Sequence, residues 1–402
     1  LFISTVVSSH CFLFHHRYSW FGKRVEQDWR DVVSEAEQIV GYPPSFLSLR
    51  WLLNDEIANT AIHLRKLVGT NHPLLKSAKN LLIGSKSNLQ SVGLIILLVS
   101  KAAGFSTDGI TRDQYDSGVL HSQRALAEIV EMKRTGHMVH KTMVNLCGED
   151  KKGDKFKDLL YGNKIVLLTG DFLLATCLQH LGGLRNNEVT ELISTGLRDL
   201  VEGDFIGERD KDNNPLPTLP KARNYDWENE DNLRTLGSNE FLGQGKDEWI
   251  YRTILQSGSM LGKGCQGAMK LAKRGEQMEK DAYRLGGHLA LLWQLYLDVK
   301  DFFMHPYSYS LVGAPVTIAM WEYPQLYGHV LESKLEKTPV EYKQLYYAVR
   351  GTRAIEYLTL FLNDELAAVL RYIDKFPDGE AKSALRKMAT TIHDETLQYI
   401  EE

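Results

Sequence analysis

Two carboxylates three residues apart stand in an otherwise apolar run. WQLYLDVKDF, residues 293–302, sets Asp298 and Asp301 at i and i+3, which is one face if the run is helical. Two acids on one face can help hold Mg²⁺, a hard ion that keeps several waters and shares its other positions with substrate phosphates. The same pair can instead be a solvated face, salt-bridged by Lys300 or Lys280. Residue types alone leave both readings open. His137 and His140 are also three apart, but no neighbouring Cys or carboxylate completes a four-ligand zinc set, so they read as packed helix histidines. Asp171 reads equally as a helix-end carboxylate bonded locally or as a substrate contact.

The elements that must position these groups are helices. In DWRDVVSEAEQIV and in SGVLHSQRALAEIVEMKRTGHMVHKTMVNL, apolar residues recur at helical spacing. Long helical segments are predicted at about 160–180, 185–203, 246–273, 276–303, 338–375 and 380–400, with proline and glycine punctuating between them. Period-2 alternation bounded by turn residues is nearly absent. The spacing therefore predicts an all-α bundle of ten or more helices. Residues 207–246 break the pattern, being polar with three prolines in a short span, and are expected to form a mobile insertion that buries too little apolar surface to order itself.

Composition excludes several classes. A formal charge of -4 over 402 residues gives no basic footprint for nucleic acid. Cys11, Cys147, Cys177 and Cys265 form no paired motif, which fits a reducing compartment. The longest apolar run, Val92 to Val99, falls well short of the roughly 18 residues that suggest a membrane span, so no transmembrane segment is expected. Residues 1–25 are basic, serine-containing and free of acids, the composition of a mitochondrial presequence or else of an arbitrary tail. Residues 26–402 are expected to be one domain.

Led in by Gly286-Gly287-His288-Leu289-Ala290, the 293–302 stretch resembles the second aspartate-rich motif of trans-polyprenyl diphosphate synthases, Phe-Gln-Ile-x-Asp-Asp-x-x-Asp. Gln294 is kept, Asp298 and Asp301 stand at the second and third aspartates, and Leu297 replaces the first. The family's first motif, Glu-x-x-His-x-Ala-Ser-Leu-Leu-His-Asp-Asp-x-x-Asp, is met by residues 131–145. There Glu131 and His140 match, while Lys141, Thr142 and Asn145 occupy the aspartate positions. Residues 162–174 resemble a family helix ending in Gly-Asp-x-Leu-Leu, which puts Gly170 and Asp171 at a helix end. Residues 310–316, 351–372, 376–377 and 380–386 continue the match in order, so the resemblance spans about 30–400.

The departures are chemical. Lysine repels a metal ion where a ligand belongs, and Thr and Asn replace carboxylates poorly. The family's Gly-Lys-x-x-Arg-Pro is reduced to residues 69–74, its Arg-Arg pair to Asp150-Lys-Lys-Gly153, and its Lys-Thr pair to Gln256-Ser257. Lysines lack the bidentate fork that grips diphosphate. Gly136 matches a position that limits product length in the family, which says nothing of a chain that binds no substrate.

The resemblance therefore implies the non-catalytic subunit of a heteromeric mitochondrial decaprenyl or solanesyl diphosphate synthase. Such a complex condenses isopentenyl diphosphate onto an allylic diphosphate to make the ubiquinone side chain. Its Mg²⁺ and ionising residues would belong to a motif-intact partner, in a heterotetramer in the matrix or at the inner membrane. Partner contacts are expected within 88–147, and Asp298 and Asp301 read as remnants of a metal site. Two other readings stand beside it: an independently active prenyltransferase rewired around Asp298, Asp301 and Glu131, and a non-enzymatic helical scaffold or lipid-binding protein.

Overall fold

The computed structural model describes residues 29–41, 92–105, 117–146, 154–210, 214–221, 238–336 and 340–401. The expected presequence and the departures at 69–74 and 150–153 lie outside these residues. The helices are α1 (29–40), α2 (Val92–Ala103), α3 (His121–His140), α4 (Asp154–Gly183), α5 (Asn187–Gly203), α6 (Lys246–Thr253), α7 (Ser259–Leu271) and α8 (Glu276–Met304). They continue as α9 (Ala314–Glu322), α10 (Gly328–Glu336), α11 (Tyr342–Arg350), α12 (Ala354–Ile373) and α13 (Glu380–Glu401), with short helical turns at Ser238–Phe241 and Pro324–Tyr327. Among the described residues the β structure is one isolated bridge, Arg209 to Pro215.

The centre is built from helices that are apolar all round. In α2 every residue but Lys101 is buried, because α3, α7 and α13 enclose it. A helix with no polar face is stable only in such a place. Lys101 snorkels out, its Nζ donating to the Ile39 carbonyl of α1 at 2.6 Å. α8 forms the opposite wall against α7, α12 and α13. Its crossing with α7 is close because glycines meet there: a Cβ on Gly286 would lie 2.8 Å from the Gly262 Cα. α6 runs into α7 through a π turn at Ile254–Gly258, and the core is continuous from Trp29 to Tyr399.

Three expectations change. The predicted 338–375 helix is two helices, because Thr352 caps both sides of a break. Its hydroxyl donates to the Val349 carbonyl at 2.7 Å and accepts from the Ala354 amide at 3.2 Å. Gly170 and Asp171 do not end a helix; α4 continues past them to Gly183. The segment expected to be mobile is pinned at its flanks. Glu248 and Arg252 form a buried pair at 2.7 Å. Glu248 accepts from the Thr218 hydroxyl at 3.0 Å and the Gly243 amide at 2.7 Å, and Arg252 donates to the Ile206 carbonyl at 3.0 Å. Leu216 and Phe241 are buried beside them. Residues 211–213 and 222–237 lie outside the described residues.

Candidate functional site

Asp298 sits in the second half of α8 and is 8% exposed. Both of its oxygens are occupied. Oδ2 accepts from the Trp249 indole at 2.6 Å and from the Ala314 amide at 2.8 Å, and Oδ1 accepts from the Gln294 amide at 2.7 Å. Ala314 opens α9, so this carboxylate caps a helix whose own N-cap, Gly313, has no side chain to do so. Burial pushes the Asp298 carboxyl up to about 6, although Trp249, Ala314 and Gln294 stabilise its charge. Asp301, one turn on, is 43% exposed and lies 3.2 Å from His305 Nδ1; its other oxygen accepts from the Ser310 amide. Leu297 packs against the core.

Neither lysine considered as a salt-bridge partner meets these acids. Lys300 points the other way around the helix, to the Tyr296 hydroxyl at 3.2 Å. Lys280, far upstream on the same helix, pairs with Glu276 at 2.7 Å.

The first-motif residues run from the middle of α3 to just beyond its end. Glu131 is buried, and its Oε2 accepts from the Gly93 amide at 3.1 Å, at the start of α2, with Arg134 3.6 Å from Oε1. Burial raises its pKa. Glu131 and Asp298 thus do the same job: each caps the N-terminus of another helix, the end that carries partial positive charge.

α3 ends at His140, so Lys141, Thr142 and Asn145 do not share a continuing helix face. Lys141 forms an ion pair with Asp204, just after α5, at 2.8 Å; His137 lies 3.4 Å from the other oxygen of the same carboxylate. Burial, the Lys141 ammonium and His140 lower the His137 pKa against the pull of Asp204. His140 contacts Asp171 at 3.3 Å. Its ring lies where a Gly170 Cβ would be, 2.1 Å from Nε2, which is what the glycine in mid-helix permits. The Thr142 hydroxyl donates to the Val139 carbonyl at 2.7 Å, and Asn145 is exposed.

These residues do not fit a divalent cation. A lysine stands among them, their acids are engaged by donors or cations, and the two motifs offer no shared set of free carboxylates. Among the described residues no group of three His, Cys, Asp or Glu side chains is placed to hold a metal. No step through Mg²⁺ follows in this chain. Gln256 lies in the π turn, its Cγ 3.0 Å from where a Cβ on Gly203 would stand, and Ser257 donates to the Thr253 carbonyl at 3.1 Å. Sequence reasoning missed Asp204 and Trp249, which lie far from the motifs in the chain. It also missed the fully buried Lys133, whose place on the stripe Leu126, Ile129, Val130 was a readable signal.

No protein-family model matches the chain. The fold is similar to that of solved synthases: a geranylgeranyl pyrophosphate synthase from Bacteroides thetaiotaomicron has a TM-score of 0.59 at 16% identity, covering 90% of this chain and 99% of that one. A polyprenyl synthase from Caulobacter crescentus, complexed with calcium and isoprenyl diphosphate, has a TM-score of 0.53 at 14% identity, covering 87% and 97%. In sequence, a probable mitochondrial hexaprenyl pyrophosphate synthase of Neurospora crassa is 27% identical over 91% of this chain and 88% of the relative. The mouse (Mus musculus) all trans-polyprenyl-diphosphate synthase PDSS2 is 36% identical over 392 residues, 93% of this chain and 90% of the relative. With that identity over nearly its whole length, and an all-α bundle of the matching fold, the chain belongs to the all-trans polyprenyl diphosphate synthase family.

Proposed function

We propose that this chain is the non-catalytic subunit of a heteromeric all-trans polyprenyl diphosphate synthase. The observation that carries the reading is the Lys141–Asp204 ion pair at 2.8 Å, an ammonium at the position of a metal-binding aspartate. The engagement of Asp298 as the cap of α9 supports it from the second motif. Ionising an allylic diphosphate needs its departing negative charge neutralised, and neither motif here offers that. Mg²⁺ bound by a motif-intact partner would supply it. The complex would condense isopentenyl diphosphate onto an allylic diphosphate and make a decaprenyl- or solanesyl-length side chain for ubiquinone. Relatives named as mitochondrial support a mitochondrial location, in the matrix or against the inner membrane.

Within this reading we place the partner surface on α4. α2, near the start of the expected 88–147 region, is buried in its own bundle. α4 instead turns Leu160, Leu167, Leu168, Phe172 and Leu178 outward, while Leu173, Cys177 and Leu181 pack inward along α3. By length and composition the 156–183 helix could cross a membrane, but its inner face is fastened to α3. An outward apolar stripe on a helix so fastened fits a second helical subunit, and a heterotetramer would bury it.

The test is isopentenyl diphosphate incorporation with Mg²⁺ by this chain alone and with the motif-intact subunit. Activity confined to the mixture, or much greater there, is expected. Equal activity of the isolated chain would overturn the assignment.

A further inference from the structure

Lys133 has no part in the proposed metal chemistry, yet its side chain is fully buried. It stands on the inward stripe of α3 and reaches across the bundle, its Nζ donating to the Ile193 carbonyl of α5 at 2.7 Å. Burial lowers its pKa; the neighbouring Cys177 opposes that shift and the Lys263 ammonium adds to it. Cys177 of α4 is 0% exposed on the same side of the bundle and donates weakly to the Ile129 carbonyl at 3.6 Å. Further along α5, the half-turn around Asp199 is also filled with polar groups: the Asp199 carboxylate accepts from both Ser259 and Lys263 of α7. Between them Gly196 faces the Met260 sulfur, which a Cβ would approach to 3.3 Å. The region between α3, α4, α5 and α7 therefore holds an ammonium, a thiol, an ion pair and a close-packed thioether.

An isoprenoid chain is continuous hydrocarbon and needs a continuous apolar lining. Displacing Lys133 from its carbonyl would leave a buried ammonium with no acceptor, a cost that hydrocarbon contact does not offset. We propose that Lys133 closes this interior to hydrocarbon, so that the growing isoprenoid chain of the complex never enters this subunit and lengthens within the partner. This rests on the heteromeric reading above and goes beyond it, since a subunit without a metal site could still have housed the product.

The test uses the assembled two-subunit complex, supplied with isopentenyl diphosphate, Mg²⁺ and an allylic diphosphate analogue carrying a benzophenone at its hydrocarbon end. After irradiation, the labelled chain and residues are identified by mass spectrometry, with excess unmodified allylic diphosphate as competitor. Competable label on the partner alone is expected. Competable label on the interior of α3, α4, α5 or α7 of this chain would overturn the proposal. If the two chains together incorporate no isopentenyl diphosphate, the heteromeric reading fails. The isolated chain is then irradiated with the analogue, where competable interior label overturns the closure and its absence upholds it.

Discussion

Replacing Asp298 by alanine separates a capping carboxylate from a metal ligand. The substitution orphans the Trp249 indole and the Ala314 amide, held by Oδ2 at 2.6 and 2.8 Å, while Gln294 is only half-buried and can turn to water. Each buried donor left unpaired costs roughly 1–3 kcal/mol. Against that stands the penalty of burying the charge. Because the folded pKa is raised from 3.8 to about 6, the unfolded chain releases its proton first as pH rises, and stability falls between those two values. That share is about 1 kcal/mol larger at pH 7 than at pH 5, and it vanishes in the variant. Two orphaned donors cost about 2–6 kcal/mol, and the relieved penalty is about 1.6 kcal/mol at pH 5, so the expected loss is about 0.5–4 kcal/mol at pH 5 and about 1 kcal/mol less at pH 7. At an unfolding entropy of about 2.1 cal/mol/K per residue, this lowers Tm by up to roughly 5 °C at pH 5 and by about 1 °C less at pH 7. Calorimetry at both pH values, with and without Mg²⁺, reads the result. An unchanged Tm at pH 5, or a Mg²⁺-dependent rise in the native chain that the variant abolishes, would refute the capping role.

Leu168→Glu should leave the far-UV spectrum and Tm of the isolated chain nearly unchanged, since the residue is 54% exposed, yet abolish co-elution with the motif-intact subunit on size exclusion. Gly286→Ala presses a Cβ to 2.8 Å from the Gly262 backbone and is expected to cost about 1–3 kcal/mol in thermal unfolding by forcing α7 and α8 apart. Gly182→Ala meets nothing within 4 Å and should be neutral or stabilising by up to about 1 kcal/mol in chemical denaturation. Lys141→Asp faces Asp204 with a like charge at a half-exposed site, so a loss of about 1 kcal/mol or less is expected. It should confer no Mg²⁺-dependent turnover on the isolated chain, because Asp298 remains engaged with α9.

The helices were legible where burial repeats at helical spacing. The apolar residues flanking Gly93 in α2, and the long runs of α5, α8 and α13, have no other way to hide their side chains. The break at Gly351 was not read, because apolar residues recur at helical spacing on both sides of it; Gly351 caps the end of α11 and the Thr352 hydroxyl bonds to both helices. Gly170 resembled a stop for the same local reason, whereas its purpose is a tertiary one, room for the His140 ring. The site followed a similar rule. Loss of carboxylates at 141, 142 and 145 could be read directly, since an ammonium, a hydroxyl and an amide are poor replacements for carboxylate ligands of Mg²⁺. What the surviving acids do could not be read, because their partners lie 38 residues away for Glu131 and 16 for Asp298. An acid in a metal motif is held by whatever positive charge faces it. Here Glu131 and Asp298 face the first amides of α2 and α9, and a helix N-terminus offers a carboxylate part of what a cation offers, through fixed donors and the helix dipole. Retention of such an acid therefore does not argue for retention of the metal. It argues only that something positive still needs it, and in this chain that is another helix.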